Sequence, residues 1–423
     1  LADARTRWVD LHGDGLPGVL TEASSGWWYS RNLGGGRFAA PVALAERPST
    51  RLNAMALGDE DQDGNTDLAT LVGRGAGRYQ LDRERQTWSG YQARTRTAHV
   101  EGIAPRVQRV DLDGDGRPDL VISEADHFLW YPSDAPEGLG EPRRIPKPRT
   151  GTARELRPDP ALDLLFADMN GDGLPDLVRI ENGRVEYWPN LGNGRFGDAV
   201  VIDDAPTFTR RDAFDIRRLR LADLTGNGCP DLLYLDGDEL RWWHNLGGNR
   251  LRFGGVRRGV PSLDGLTDLR VLELYGDGRP VLVWSSAAPV AQGLAALPLT
   301  GEVQPGRLLE IDDGSGLKVR VHWSTSGQHM LRDLLEGGAW STHLPQHVPV
   351  VDRIELEDRL ARTLTTTVLR YRDGQLDSEA REFRGFGCVD QLDVEVTTDD
   401  PLAPTGVPRL TRTWQIVGAP DER

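Results

Sequence analysis

One nine-residue stretch, Asp-Leu-Asp-Gly-Asp-Gly-Arg-Pro-Asp at residues 111–119, constrains this chain more than any other feature. Its carboxylates stand at positions 1, 3, 5 and 9, and glycines occupy positions 4 and 6. Alternating carboxylates on a turning loop surround a hard cation with oxygen, and Ca²⁺ takes about six to eight such ligands, often including the backbone carbonyl of position 7. Glycine at position 6 permits the positive φ that such a turn needs. The stretch therefore predicts a calcium-type loop.

The same loop recurs six times in the 423 residues, at intervals of 49 to 57 residues. The copies, loops one to six, begin at Asp10, Asp59, Asp111, Asp168, Asp223 and Glu273. All six have glycine at position 6 and an apolar residue at position 10, and five have proline at position 8. Short apolar runs flank each loop and predict two strands that the loop connects.

A second signal, Asn-Leu-Gly, begins 22 residues after the start of three loops, at Asn32, Asn190 and Asn245. Aromatic residues precede it and a phenylalanine follows it, which predicts a second hairpin with a left-handed turn. Repeats of about 50 residues with two hairpins each are typical of four-stranded propeller blades. We therefore predict an all-β fold with a β-propeller of about six four-stranded blades; a solenoid of stacked sheets is the alternative. In three repeats the aromatic run before Asn-Leu-Gly contains a tryptophan that we expect to pack between sheets: Trp28, Trp188 and Trp243.

As candidate Ca²⁺ sites, the six loops differ in the number of oxygen ligands and negative charges that they offer. Loops two to four carry a full set of oxygen ligands: Asp59, Asp61, Asp63, Asn65 and Asp67; Asp111, Asp113, Asp115, Arg117 and Asp119; and Asp168, Asn170, Asp172, Leu174 and Asp176. In these sets Asn65, Arg117 and Leu174 would contribute through their backbone carbonyls. Loop five has fewer charges and predicts a weaker site: Asp223, Thr225, Asn227, Cys229 through its carbonyl, and Asp231.

Loops one and six are expected to bind Ca²⁺ poorly. His12 and Gly18 replace ligands in loop one, and Tyr275 and Val281 replace them in loop six. Where Ca²⁺ binds, its role should be structural, because the protein ligands leave no open position for a catalytic water. The alternative is that the loops are only turns, in which aspartate side chains cap the backbone.

Charge and composition exclude several classes of protein. The net charge of −15 is concentrated in these loops and argues against nucleic acid as a partner. No run of 18 apolar residues is present, so no transmembrane segment is expected. Cys229 and Cys388 lie in separate regions and are expected to be free thiols. The chain starts at Leu1 without a signal-peptide pattern, and we expect it to be an excerpt of a longer protein.

The repeat pattern stops after Trp284, which divides the chain. We predict a propeller over residues 1–290, a linker over 291–306 and a β-rich region over 307–423. The last region has its own markers, among them Trp-Ser-Thr-His-Leu-Pro at 340–345 and Arg-Glu-Phe-Arg-Gly-Phe-Gly at 381–387.

Two resemblances follow from these motifs. The acidic loop with its aromatic, Asn-Leu-Gly and phenylalanine signals resembles the FG-GAP/VCBS repeat of integrin-type propellers and of many secreted bacterial proteins. A repeat region of this kind followed by the markers of the last region resembles the middle region of the insecticidal toxin complex (Tc) B component, of the SpvB/TcdB type.

The second resemblance implies a function. In that family the propeller docks on the pore-forming A component and acts as a gate. The region after the propeller begins an Rhs-type β-shell that, with the C component, encloses a toxic effector enzyme. The resemblance thus implies a secreted, non-catalytic scaffold.

No enzyme motif competes with that interpretation. The sequence contains no phosphate-binding Gly-rich loop, no nucleophile elbow and no zincin motif, so we predict no catalytic residues. His343 and His347 have the spacing of metal ligands on a helix, but Pro345 between them disfavours a helix. A calcium-dependent adhesion or lectin-like propeller is the alternative function, and a hydrolase carried on a propeller ranks below it.

Overall fold

The structure is a computed structural model that describes residues 5–44, 48, 50–61, 65–70, 75–82, 87–88, 90–98, 107–134, 138–148, 164–210, 213–263, 267–286, 294–301, 305–377, 382–397, 400–404 and 407–417. Strands dominate these residues, as an all-β fold requires. No helix within these ranges is both long and apolar enough to cross a membrane.

Six antiparallel sheets follow one another in the described part of the chain, and each contains one acidic loop. Sheet 1 has strands Thr6–Val9, Gly18–Ala23, Gly26–Ser30 and Val42–Ala43; sheet 2 has Ala56–Gly58, Asp67–Thr70, Gly77–Asp82, Thr87–Trp88 and Gln92–Ala93; sheet 3 has Val107–Val110, Asp119–Ser123, His127–Tyr131 and Arg143–Pro146. Sheet 4 has Leu164–Ala167, Asp176–Glu181, Arg184–Trp188 and Val200–Val201; sheet 5 has Leu219–Ala222, Asp231–Asp236, Glu239–Asn245 and Leu251–Arg258; sheet 6 has Thr267–Glu273, Pro280–Ser286 and Leu294–Pro298. A small ladder pairs Ser133–Asp134 with Gly138–Leu139, and 3-10 turns span Leu52–Ala54 and Ile216–Arg218.

The strand register places each acidic loop at the same point of its sheet. In sheet 3, Val110 pairs with Asp119, and in sheet 4, Ala167 pairs with Asp176. The residue before position 1 thus pairs with position 9, so the loop closes the hairpin between the first two strands. The predicted strand–loop–strand unit is confirmed.

The Asn-Leu-Gly signal forms the second hairpin and also links neighbouring sheets. The Asn190 side chain donates to the Leu112 carbonyl of sheet 3's loop at 2.9 Å, and Asn245 donates to the Met169 carbonyl of sheet 4's loop at 2.9 Å. Asn32 of sheet 1 makes the same contact with the Leu274 carbonyl of loop six at 3.1 Å. Each asparagine therefore reaches position 2 of the loop in another sheet, and the first sheet reaches the sixth.

Apolar clusters lie between these pairs of sheets and between two further pairs. Sheets 4 and 5 share a buried cluster that includes Phe208, Tyr234 and Trp243, and other clusters join sheets 1 and 2, 3 and 4, and 5 and 6. Trp8 and Phe38 of the first repeat pack against the cluster of sheet 6. Burial of each large side chain contributes about 1.5–3 kcal/mol, so these inter-sheet clusters hold the sheets together.

Two details differ from the expectation. Trp188 and Trp243 are buried as predicted, but in the first repeat Trp27 is the fully buried tryptophan, because Trp28 points to the other face of its strand. The segment predicted as a linker includes Leu294–Pro298, which pairs with Pro280–Ser286 as the third strand of sheet 6.

The last region forms a seventh sheet and carries one helix. Sheet 7 has strands Glu310–Asp312, Leu317–Thr325, Pro349–Asp358, Thr363–Asp377, Glu382–Thr397, Asp400–Pro404 and Arg409–Trp414. Helix α1, Ser326–Leu335, begins where the Thr325 hydroxyl accepts a hydrogen bond from the Gln328 amide.

The asparagine contacts predict that removal of one of these side chains lowers the free energy of unfolding. Asn190→Ala removes the donor to the Leu112 and Pro175 carbonyls and the acceptor for the Gly192 amide, so it should lower the free energy of unfolding by about 1–3 kcal/mol. The exposed Asn249 is the matched control, and its replacement by alanine should change stability by less than about 0.5 kcal/mol. Urea unfolding followed by tryptophan fluorescence measures both, and equal losses would contradict the inter-sheet role.

Candidate metal centre in the acidic loops

Among the described residues, loops one, three, four and five share an internal hydrogen-bond pattern at position 1. The Asp111 carboxylate accepts from the amides of Gly114 at 2.8 Å and Gly116 at 2.9 Å, and Asp10, Asp168 and Asp223 accept from the corresponding glycines. These glycines have positive φ, for example 83° at Gly114 and 89° at Gly116. The turn interpretation is therefore correct for the backbone. It does not exclude a cation, because each carboxylate oxygen has two lone pairs.

The carboxylate at position 9 has a different environment from the others. Asp67, Asp119, Asp176 and Asp231 are buried, and each accepts a hydrogen bond from the amide of position 2 in its own loop. The other oxygen of Asp119 accepts from the Ser133 amide at 2.7 Å, and Asp176 and Asp231 make the equivalent contact with Asn190 and Asn245. Burial raises the pKa of Asp119 to about 7 and that of Asp176 to about 6, although the amide donors favour the ionised form. The structure thus gives position 9 an architectural role, and its role as a ligand stays a prediction.

Loop three brings its remaining carboxylates together. Single oxygens of Asp111, Asp113 and Asp115 lie within 4.8 Å of one another. One oxygen of Asp113 is buried and has no hydrogen-bond partner among the described residues, and burial, followed by the charge of Asp115, raises the Asp113 pKa. The Arg117 amide donates to Asp115 at 2.8 Å, which tightens the turn at position 7. A hard cation fits this arrangement, since it would bind the converging oxygens and offset their repulsion.

Loop two contains an arginine that the sequence analysis overlooked. Asp59, Asp61 and Asp67 bring oxygens within 4.8 Å of one another, while Asp63 lies outside the described residues. The buried Arg78 guanidinium contacts Asp61 and lies 3.6 Å from Asp67. This cation comes from the third strand of sheet 2 and competes with a metal ion for the same carboxylates. The assignment of loop two to Ca²⁺ stays a prediction, and Arg78 is the protein cation against which a metal ion would compete.

Loops four and five are the more exposed candidates. The Asn170 amide nitrogen donates to Asp172 at 2.9 Å, and the Leu174 amide also donates to Asp172. In loop five, Thr225 and Asn227 donate their amides to Asp223, Cys229 donates its amide to Asn227, and Asp231 lies 3.1 Å from His244. The oxygen ligands are present in both loops, and their assignment to Ca²⁺ stays a prediction.

Position 7 has a packing role between consecutive loops. The Leu174 side chain covers Gly114 of loop three, where an added Cβ would lie 2.6 Å from Leu174 Cδ2. The Cys229 thiol likewise covers Gly171 of loop four, at 3.0 Å from an added Cβ. Cys229 and Cys388 are both free and buried, and burial raises the pKa of each thiol.

Loops one and six, which were expected to bind Ca²⁺ poorly, pair with basic side chains. Arg31 lies 2.9 Å from Asp14 in loop one, and Arg279 lies 2.5 Å from Asp277 in loop six. His347 lies 2.5 Å from Glu273 at position 1 of loop six. Asp14, Asp277 and Glu273 are thus each paired with a basic side chain of the protein.

Loop three allows a direct test of the metal assignment. The double variant Asp113→Ala, Asp115→Ala should lose the calcium-dependent stability that loop three supplies, which is about 2.7 kcal/mol when free Ca²⁺ is one hundred times Kd. Thermal unfolding in Ca²⁺ and in chelator measures this. Asp313→Ala is the control, because Asp313 caps a turn outside the repeats and its loss should cost the same in both conditions. Equal losses in the loop-three variant would mean that the loop acts only as a turn.

In loop two, a substitution should increase the response of stability to Ca²⁺ instead of removing it. Arg78→Gln should destabilise the chelated protein by about 3–5 kcal/mol, because it leaves buried carboxylates without their cation, and added Ca²⁺ should restore part of that loss. Arg94→Gln breaks another buried pair of sheet 2, the 2.8 Å contact with Glu60, and should not respond to Ca²⁺. Calcium titration monitored by unfolding temperature compares the two; no gain of calcium response in Arg78→Gln would contradict the role of Arg78.

Comparison with known proteins agrees with this architecture. The family model described as the insecticide toxin TcdB middle/N-terminal region matches residues 244–406, and an FG-GAP-like repeat model matches residues 168–234. The first match begins in sheet 5 and continues through sheet 6 into sheet 7. A comparison with curated protein sequences gives no match.

Solved structures cover nearly all of the chain. The Photorhabdus luminescens Tc holotoxin pore, solved with a mutant TccC3, aligns with a TM-score of 0.85 and 27% identity over 98% of this chain. The TcdB2–TccC3–Cdc42 crystal structure aligns with a TM-score of 0.68 and 25% identity over 97% of this chain. The chain spans about one fifth of their length, 19% and 20% respectively. Together, the two family models and these structures show that the chain is similar to a middle region of the TcdB-type Tc toxin B component, with FG-GAP-like repeats.

Proposed function

We propose that this chain is a non-catalytic scaffold segment of a Tc-type toxin B component, in which a propeller docks on the pore-forming A component and gates a shell around a toxic effector. The observation that carries this proposal is the similarity to the holotoxin pore structure over 98% of the chain, at a TM-score of 0.85. The non-catalytic role and an extracellular location come from the same resemblance.

Closure of sheets 1 to 6 into a six-bladed propeller is part of this proposal. It is supported by the repeated asparagine contact, because Asn32 of sheet 1 donates to loop six as Asn245 of sheet 5 donates to loop four. The contacts of Trp8 and Phe38 with the apolar cluster of sheet 6 support it as well. A ring leaves a central channel, which is the geometry that a gate requires.

The seventh sheet is proposed to begin the shell. Two of its strands, Thr363–Asp377 and Glu382–Thr397, are 15 and 16 residues long, well beyond the strands of sheets 1 to 6. Large apolar side chains are exposed on this region, including Leu360 at 84% and Trp414 at 72%. Exposed apolar surface of this kind is typical of a face that a further part of a protein covers. The TcdB2–TccC3 structures support a C component as the partner.

We also propose Ca²⁺ as a structural ion of the repeats, held by loops three and four and more weakly by loop five. The converging carboxylates of loop three support this. The ion would stiffen the connection between two strands without taking part in chemistry.

A binding experiment tests the docking role. The full chain should bind pore-forming A-type subunits of Tc toxins saturably in surface plasmon resonance, both in Ca²⁺ and, more weakly, in chelator. The Asp113→Ala, Asp115→Ala variant is the control for an effect of Ca²⁺ on binding through folding. Its binding should differ less between the two conditions than that of the unchanged chain, because only loops four and five can still hold Ca²⁺.

Absence of binding by the folded chain in both conditions would contradict the docking role. Calcium-dependent binding to a glycan array would then favour the adhesion alternative.

A further inference from the structure

Residues 325–348, which we call the clasp, lie over loops one and six at once. The Thr325 hydroxyl donates to the Gly276 carbonyl of loop six at 2.5 Å. Leu331 of helix α1 covers both Gly34 of the first repeat and Gly276, where added Cβ atoms would lie 2.3 and 2.7 Å from its Cδ1. At Gly276, Leu331 has the position that Leu174 has over Gly114. The helix thus bridges the first and the last repeat.

His347 fills the space between the two loops and the helix. Its side chain is only 2% exposed. Nε2 lies 2.9 Å from the Asp14 carbonyl oxygen of loop one, and Nδ1 lies 2.5 Å from the Glu273 carboxylate of loop six. The ring also lies against Gly327 of α1, where an added Cβ would lie 2.4 Å from Cδ2.

The contacts of His347 require a charged ring. Both ring nitrogens face oxygen atoms that can only accept, and a neutral imidazole has a single N–H. Only the imidazolium carries a proton on each nitrogen, one facing the Asp14 carbonyl and one facing the Glu273 carboxylate. Burial lowers the pKa of His347, but the contact with Glu273, followed by the Asp14 carbonyl, more than offsets this, and the pKa is raised above its ordinary value.

Other charged groups near the clasp do not replace the positive charge of His347. On loop one, Arg31 is paired with Asp14, and burial raises the pKa of Asp10 to about 6. On loop six, Arg279 is paired with Asp277. From α1, the group against the ring is Gly327, which carries no charge. His347 is therefore the cation that faces Glu273.

We propose that the clasp docks on loops one and six to hold the first and sixth sheets together, and that protonated His347 is the cation that joins these two loops in place of calcium. The proposal rests on the ring closure proposed above. It gives the loss of metal ligands in loops one and six a physical reason, because these loops bind another segment of the chain.

A histidine with a raised pKa contributes its full stabilisation below its pKa in the unfolded chain, near 6.5, and this stabilisation is lost as the pH rises through the pKa in the folded chain. The clasp should thus loosen in alkaline solution.

Hydrogen–deuterium exchange of the full chain tests this. His347→Gln should reduce protection of Thr6–Val9 and Thr267–Glu273 roughly tenfold to a hundredfold at about pH 6, and leave Asp176–Glu181 of sheet 4 unchanged. Wild type at about pH 9, corrected for intrinsic exchange, should lose protection in the same two strands. His322→Gln is the matched control, because His322 lies 3.4 Å from Glu355 in sheet 7, away from the clasp contacts.

A second variant displaces the ring without removing it. Gly327→Ala places a methyl group against His347 and should reproduce the loss in sheets 1 and 6, while Gln328→Ala at the exposed neighbouring position should not. Unchanged protection of sheets 1 and 6 in both His347→Gln and Gly327→Ala would overturn the proposal, and so would an equal loss in every sheet. These outcomes are independent of binding to an A-type subunit, so failure of the docking role leaves them unaffected.

Discussion

The buried carboxylate at position 9 makes the hydrogen bonds on which the repeats of loops two to five depend. Asp119 accepts from the Leu112 amide of its own loop and from the Ser133 amide, which follows the third strand of sheet 3. The Leu112 carbonyl then accepts from Asn190 of sheet 4. The backbone of one residue, Leu112, thus connects the turn, its own sheet and the next sheet. Because these groups are buried, an unpaired one would cost about 1–3 kcal/mol, so the links depend on one another.

The remaining carboxylates of the loops create a concentration of negative charge that requires cations. The protein supplies them in some copies, with Arg78 at loop two, Arg31 at loop one and His347 at loop six. In loop three the converging oxygens have the chemistry of a calcium site. The six copies therefore share one backbone conformation but differ in the source of their positive charge. Such a difference lets some copies be metal sites and others be contacts between parts of the chain.

Much of the local structure could be predicted because its signals are short-range. The loop spacing correctly placed the first two strands of each sheet, and the Asn-Leu-Gly signal correctly placed the second hairpin turn. The prediction missed the strand Leu294–Pro298, whose composition is rich in alanine and leucine, and helix α1, whose only start signal is Thr325. It weighed His347 only as a metal ligand. Arg78, 17 residues from Asp61, carries no motif that marks it as a partner of loop two.

The repeat, its turns and the set of oxygen ligands follow from the sequence alone, because these depend on residues within one loop and on the backbone freedom of glycine. The sequence does not specify which carboxylates face a protein cation, which tryptophan of a pair is buried, or where the last region contacts the first repeat. These features depend on contacts between residues that are as far apart in the sequence as Asp14 and His347, and no local pattern specifies such contacts. Burial then decides the outcome, since a charge removed from water must be paired wherever the fold places it.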